Sequence, residues 1–188
     1  MFIQTEQTPN PLTLKFIPGL ILLMGQSVEF NSKEAAKNSP LALRLFDIDH
    51  VTGIFIGEEF VSVTKSEDAS WDALKPHILS ALMDHLLAQK PILLEDMPEE
   101  LEEDITYTPD EQEIVNQIKE LIDTRVRPAV AMDGGDITFS KYQKGTVFLK
   151  LRGACSGCPS SSVTLKNGIE SMLKHYVPEV ESVEQVMG

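Results

Sequence analysis

Only two cysteines occur in 188 residues, so no disulfide framework can staple this chain. Basic residues are scarce as well. Sixteen Lys and Arg stand against 29 Asp and Glu, a net charge of −13, which excludes the clustered basic face that nucleic-acid binding requires. Long apolar runs are missing. The segment Phe16 to Met24 is broken by Pro18-Gly19 and falls short of the roughly 18 residues that span a bilayer, so no membrane span is expected. A basic n-region is absent too, because Glu6 precedes Lys15, and no small-residue cleavage site follows. The N-terminus therefore reads as folded, and the compartment as reducing and cytosol-like.

What is present is ordinary globular material, with 42% hydrophobic and 24% charged residues and length for one or two domains. One boundary stands out. Glu95 to Glu113 carries ten acidic residues and no Lys or Arg, a self-repelling block that reads as a linker. The expected organisation is α+β: two small α/β-sandwich domains at 1–90 and 108–188, joined by an acidic linker over 91–107.

In the first domain, Leu12 to Phe16 alternates as a strand, with Val28-Glu29-Phe30 as its expected partner. Ser32 to Lys37 and Pro40 to Phe46 read as short helices capped by Ser32 and Ser39. Val51 to Ile56 and Phe60 to Lys65 flank Gly57-Glu58-Glu59 as a hairpin. Ser70 to Ala88 reads as a helix in which Pro76 argues for a later start.

In the second domain, Thr108-Pro109-Asp110-Glu111 is a capping box ahead of a helical stripe of Ile114, Ile118, Leu121, Ile122 and Val126. Asp133-Gly134-Gly135-Asp136 reads as a helix-to-strand corner, since paired glycines between aspartates shape turns more often than they bind ions. Strands follow at Ile137 to Ser140 and Thr146 to Leu151. A helix then begins at Pro159 with the stripe Leu165, Ile169, Met172, Leu173 and Tyr176, and a last strand lies within Val180 to Met187. The order is α-β-β-α-β.

Chemistry concentrates in Cys155-Ser156-Gly157-Cys158. Both thiols lie between a strand end and a helix beginning at Pro159, where the dipole and unpaired N–H groups favour thiolate. Lys150 and Arg152 add positive potential, and Gly153 and Gly157 let the backbone approach a bulky inorganic core. Soft thiolates select zinc, copper(I) and iron–sulfur clusters. Three uses compete: half of a four-thiolate cluster or zinc site, a dithiol redox couple, or inert loop thiols. The redox use is disfavoured because such motifs follow the first strand of a βαβ unit, whereas the neighbours here look antiparallel.

The histidines offer no alternative centre. His85 belongs beside an apolar stripe, His175 near a helix C-terminus, and His50 and His77 show no ligand-spaced partner. Trp71 and Phe60 read as core.

Asp133 to Asp136, Gly153 to Ser161 and Thr164 to Glu170 resemble the NifU C-terminal domain of iron–sulfur cluster scaffold proteins. Met1 to Glu6, Thr8 to Pro11 and Leu14 to Gly19 resemble the Nfu N-terminal domain. The resemblance implies a non-enzymatic scaffold and carrier that binds a 4Fe–4S cluster across a homodimer through Cys155 and Cys158. It would receive the cluster from assembly donors and deliver it to apo-proteins such as lipoate synthase and respiratory enzymes. The alternatives are a structural zinc protein or a CxxC thiol–disulfide oxidoreductase. With no transit peptide ahead of Met1, a bacterial cytoplasm is the expected location, a mature mitochondrial matrix protein being the second reading.

Overall fold

The computed structural model describes residues 2–94, 105–156 and 159–186. It divides into two compact units, Met1–Met97 and Pro98–Gly188. Both helices and sheets are present in each, the α+β class expected. Residues 95–104, the heart of the acidic stretch, lie outside the described residues.

The first unit holds β1 (Gln4–Gln7), β2 (Thr13–Ile17), β3 (Val28–Phe30), β4 (Val51–Ile56) and β5 (Val61–Lys65) in one antiparallel sheet of order β1-β2-β5-β4-β3. Helices α1 (Pro40–Phe46) and α2 (Trp71–Leu87) pack on each other, and α1 packs on β4. Phe16, Phe30, Leu41, Leu45, Ile54, Ile56, Ile78 and Leu82 form the fully buried centre. Ser39 caps α1 as expected: its Oγ accepts the Ala42 N–H at 3.1 Å and donates to the Ile92 carbonyl at 2.7 Å. Leu94 N–H donates to the Asn38 carbonyl at 2.8 Å, so the chain is still tied to this unit there.

Three sequence expectations fail here. β3 pairs with β4 rather than with β2, whose two sides are taken by β1 and β5. β1 escaped notice because Gln-Thr-Glu-Gln is a polar edge strand without alternation. Residues 32–37 make consecutive turns, not a helix. The Ser32 hydroxyl does accept the Ala35 N–H, but only Ala36 is buried and a segment this short cannot propagate without a packed face. Pro76, finally, sits inside α2 without delaying its start, because Ser70 caps Asp72 and tertiary burial of Leu74 and Ile78 outweighs one missing bond.

In the second unit α3 (Pro109–Leu121) opens on the expected capping box. Glu111 N–H donates to Thr108 Oγ1 at 3.3 Å, and Thr108 N–H donates to Glu111 Oε2 at 3.0 Å. The helix does not stop at Val126. One π-helical turn (Ile122–Val126) leads into α4 (Arg127–Met132). The widened turn precedes Pro128, whose ring would press on the carbonyl of Thr124 in a regular helix. Val115, Ile118, Ile122, Val126 and Val130 are buried from this composite helix.

Strands β6 (Gly135–Gln143) and β7 (Thr146–Gly153) form a hairpin over Lys144-Gly145, both at positive φ. β6 is longer than expected because a bulge between Phe139 and Lys141 carries it past Ser140. Helix α5 (Pro159–Tyr176) crosses back, and β8 (Ser182–Val186) joins β7 in parallel. The expectation of antiparallel neighbours around the thiol motif is therefore wrong: β7, α5 and β8 make a βαβ crossover. Sequence spacing could not reveal this, since strand direction is set by the helix returning the chain to its starting edge. No helix among the described residues is long and apolar enough to cross a membrane.

Candidate functional site

The strand-to-helix turn after β7 is built by glycine geometry. Gly153 closes the strand at φ 67°, and Ser156 folds back on it. Its N–H and hydroxyl both donate to the Gly153 carbonyl, at 3.1 and 2.8 Å. Ala154 N–H donates to the Gly134 carbonyl at 3.2 Å, stitching the turn to the Asp133-Gly134-Gly135-Asp136 corner. Gly134 reaches that corner at φ 80°, a conformation side chains rarely adopt.

Cys155 lies within this frame, 5% exposed and part of the second core. Gly135, across the hairpin, lies against it. A Cβ there would sit 2.9 Å from the Cys155 sulfur and 2.6 Å from the Arg152 carbonyl oxygen. The absence of a side chain at residue 135 is thus what lets the thiol occupy its position. Cys158 lies outside the described residues, and α5 begins immediately after it, at Pro159.

One charged pair braces the corner. Arg127 forks Asp136, Nε to Oδ1 at 2.9 Å and an Nη2 to Oδ2 at 3.1 Å, while Ile137 N–H donates to Oδ1 at 2.8 Å. The Asp136 hydrogen bond holds the Arg127 guanidinium more firmly protonated, against the opposing effect of burial. Asp123, one turn earlier, lies 3.4 Å from the same guanidinium. Because Arg127 follows the π turn directly, the irregular helix and the thiol corner are connected through Asp136.

The reading of Asp133 to Asp136 as a helix-to-strand corner agrees with this geometry, yet the direct abutment of Gly135 on Cys155 was invisible. The doubled glycine was its only trace. The Arg127–Asp136 fork was missed outright, since nine residues and a π turn separate the partners.

Three of the histidines have partners of their own. His85 is buried on α2, its Nε2–H donating to the Pro91 carbonyl at 3.0 Å, and burial lowers its affinity for a proton. His50 does have neighbours that spacing hid, Ser66 at 3.1 Å and Asp68 at 3.6 Å. His175 stacks edge-on against Tyr176. Phe60 is core, whereas Trp71 is half-buried with its indole N–H donating to the Pro11 carbonyl at 3.0 Å. Among the described residues no three His, Cys, Asp or Glu side chains gather to hold a metal ion.

Two family models match. Residues 3–89 match "Scaffold protein Nfu/NifU N terminal", and residues 118–184 match "NifU-like domain". The chain is 50% identical over 187 residues to a Drosophila persimilis protein named NFU1 iron-sulfur cluster scaffold homolog, mitochondrial, covering 99% of this chain and 65% of that one. It is also 50% identical over 187 residues to NifU-like protein 4, mitochondrial, of Arabidopsis thaliana, covering 98% and 66%. The chain thus spans just under two thirds of the length of these relatives. A solution NMR structure of a NifU-like protein from Saccharomyces cerevisiae is similar at 24% identity and a TM-score of 0.47, over 51% of this chain and 87% of that one. That last likeness is too loose to bear on function.

Proposed function

We propose, from the premise that the chain belongs to the Nfu/NifU-like family through both its domains, that it is an iron–sulfur cluster scaffold and carrier. Cys155 and Cys158 are the ligands in this reading, and the cargo is a 4Fe–4S cluster. The observation that carries it is the placement of Cys155, sheltered against Gly135 on a braced strand-to-helix turn. The names of the relatives, iron–sulfur scaffolds, support it.

A cubane cluster wants four thiolates, and this chain has two. A second copy supplies the other pair, so the loaded form is a homodimer. Holding and release are then linked: anything that separates the subunits lowers cluster affinity, and the cluster in turn favours the dimer. Donors load this site, and apo-proteins, among them lipoate synthase and respiratory enzymes, unload it. Ligand exchange is all that this requires, and we assign no catalysis. The relatives' names carry the word mitochondrial, so they favour the matrix reading of location and lend none to a bacterial cytoplasm. The span 91–107 serves as the tether between the two working units, its ends held at Ile92 to Leu94 on the first unit and at Tyr107 on the second.

One observation favours a second reading. The βαβ placement of the thiols removes the topological argument against a dithiol redox couple. Anaerobic reconstitution with iron and sulfide separates the cases. A brown protein with roughly four irons per two chains, at twice the mass of one chain, supports the carrier. Cys155→Ser should abolish that iron content. Full iron content at the mass of a single chain overturns the shared site, a colourless protein with about one zinc per dimer supports structural zinc, and insulin reduction by metal-free protein supports the redox couple.

A further inference from the structure

The first unit carries no chemical motif, yet one end of its sheet displays large apolar side chains, as Leu87 and Leu94 do singly elsewhere on the unit. The antiparallel order brings together the start of β1, the end of β2, the β4–β5 turn and the start of β3 (Gln4 opposite Ile17, Phe16 opposite Val61, Ile56 opposite both Val61 and Val28). Three large apolar side chains stand in water there: Phe2 at 84% exposure, Met24 at 82% and Ile21 at 54%.

The loop that carries two of them is not slack. Leu22 and Leu23 N–H groups both donate to the Glu58 carbonyl, at 2.6 and 3.4 Å, and the Leu23 side chain is buried. Gly19 and Gly25 flank the anchored segment at φ 74° and 67°. Ile21 and Met24 are therefore displayed on either side of a fixed point, at the hydration cost that large exposed apolar surface carries. The segments meeting at this end, 2–3, 18–27 and 57–60, contain no Lys or Arg, and their only charges are the exposed Glu58 and Glu59.

We propose that this apolar, acid-rimmed end is a docking surface for a basic amphipathic segment of a partner protein. Apolar anchors would cover Phe2, Ile21 and Met24, and Lys or Arg would meet Glu58 and Glu59. Charge complementarity selects this occupant. A second copy would bring the same two glutamates and the same net charge of −13, and an anionic lipid surface would be repelled. Met24 suits the role because an unbranched thioether adapts to differing apolar partners. The inference is independent of the thiol site and stands or falls apart from it.

The test uses the full chain and a synthetic amphipathic helix of about 18 residues made of leucine and lysine, with a leucine–glutamate counterpart as control. Binding is read by fluorescence anisotropy. Phe2→Ser combined with Met24→Ser should weaken lysine-peptide binding at least about tenfold. Glu58→Lys with Glu59→Lys should do likewise, while Glu67→Lys, at the opposite end of β5, leaves it unchanged. All positions are exposed, so the thermal transition of each variant should match the parent. Equal loss with Glu67→Lys, or no loss with the serine pair, reduces the attraction to net charge and overturns the proposal. So does self-association, or flotation with phosphatidylcholine vesicles, that the serine pair abolishes, since either assigns the surface to another occupant.

Discussion

Gly135→Ala is the sharpest single test of how the thiol corner is held. An ideal Cβ at this position lies 2.6 Å from the Arg152 carbonyl oxygen, 2.9 Å from the Cys155 sulfur and 3.3 Å from the Cys155 Cβ. A mobile side chain could swing away, but the nearest obstacle is backbone oxygen in β7, fixed by its ladder with β6. Relief requires the two strands to part or the Cys155 turn to move. Overpacking of this kind costs about 1–3 kcal/mol, and a rigid obstacle places it near the upper figure. For a unit of this size that corresponds to a lowering of the melting temperature by about 10–20 °C. Scanning calorimetry on the full chain reads it directly, because the first unit's transition serves as an internal reference. Gly168→Ala is the matched control. It lies mid-helix in α5 with nothing within 4 Å of its Cβ, so alanine should stabilise by about 0.5–1 kcal/mol. A second-unit transition unmoved by Gly135→Ala would refute the claim that the empty Cβ position is what seats Cys155.

Three further outcomes follow from the same geometry. Asp136→Asn removes the charge from the Arg127 fork and should cost the second unit about 1–3 kcal/mol in urea unfolding, near the lower figure because Arg127 is a third exposed; an unchanged midpoint would make the fork idle. His85 is buried and its proton affinity is lowered, by burial first and then by Arg44 and Lys90. Its unfolded form titrates near 6.5, so stability of the first unit is full above that pH and falls as pH drops through 6.5 toward the lowered folded value. His85→Gln, which keeps a donor for the Pro91 carbonyl, should flatten that slope between pH 7 and 5, and a parallel slope would locate the titration elsewhere. Thr108→Ala removes the side-chain half of the capping box, leaving the backbone N–H of residue 108 to Glu111, and should destabilise by about 0.5–2 kcal/mol, visible as lost helical circular dichroism at lower urea.

Local rules were legible wherever one residue's chemistry decided the outcome. Ser39 and Thr108 start helices because each offers an oxygen to an orphan N–H three residues on. The β4–β5 and β6–β7 hairpins follow from apolar alternation around glycine turns. Failures came where partners distant in the chain competed. Ser32 to Lys37 had a cap but no buried face, Gln4 to Gln7 had no pattern but an available sheet edge, and the helix leading to the Asp133 corner contains a π turn that its apolar stripe did not announce.

The candidate site divides along the same line. That two thiols three apart sit before a helix, too few for a closed metal centre in one chain, follows from residue order alone, because spacing and valence are local properties. That Cys155 is buried, that Gly135 makes its room, and that Arg127 braces the corner through Asp136 emerged only once β6 lay beside β7. The parallel entry of β8 belongs with these. Direction and contact between strands are settled by which surfaces close over a common core, and no stretch of chain carries that information by itself.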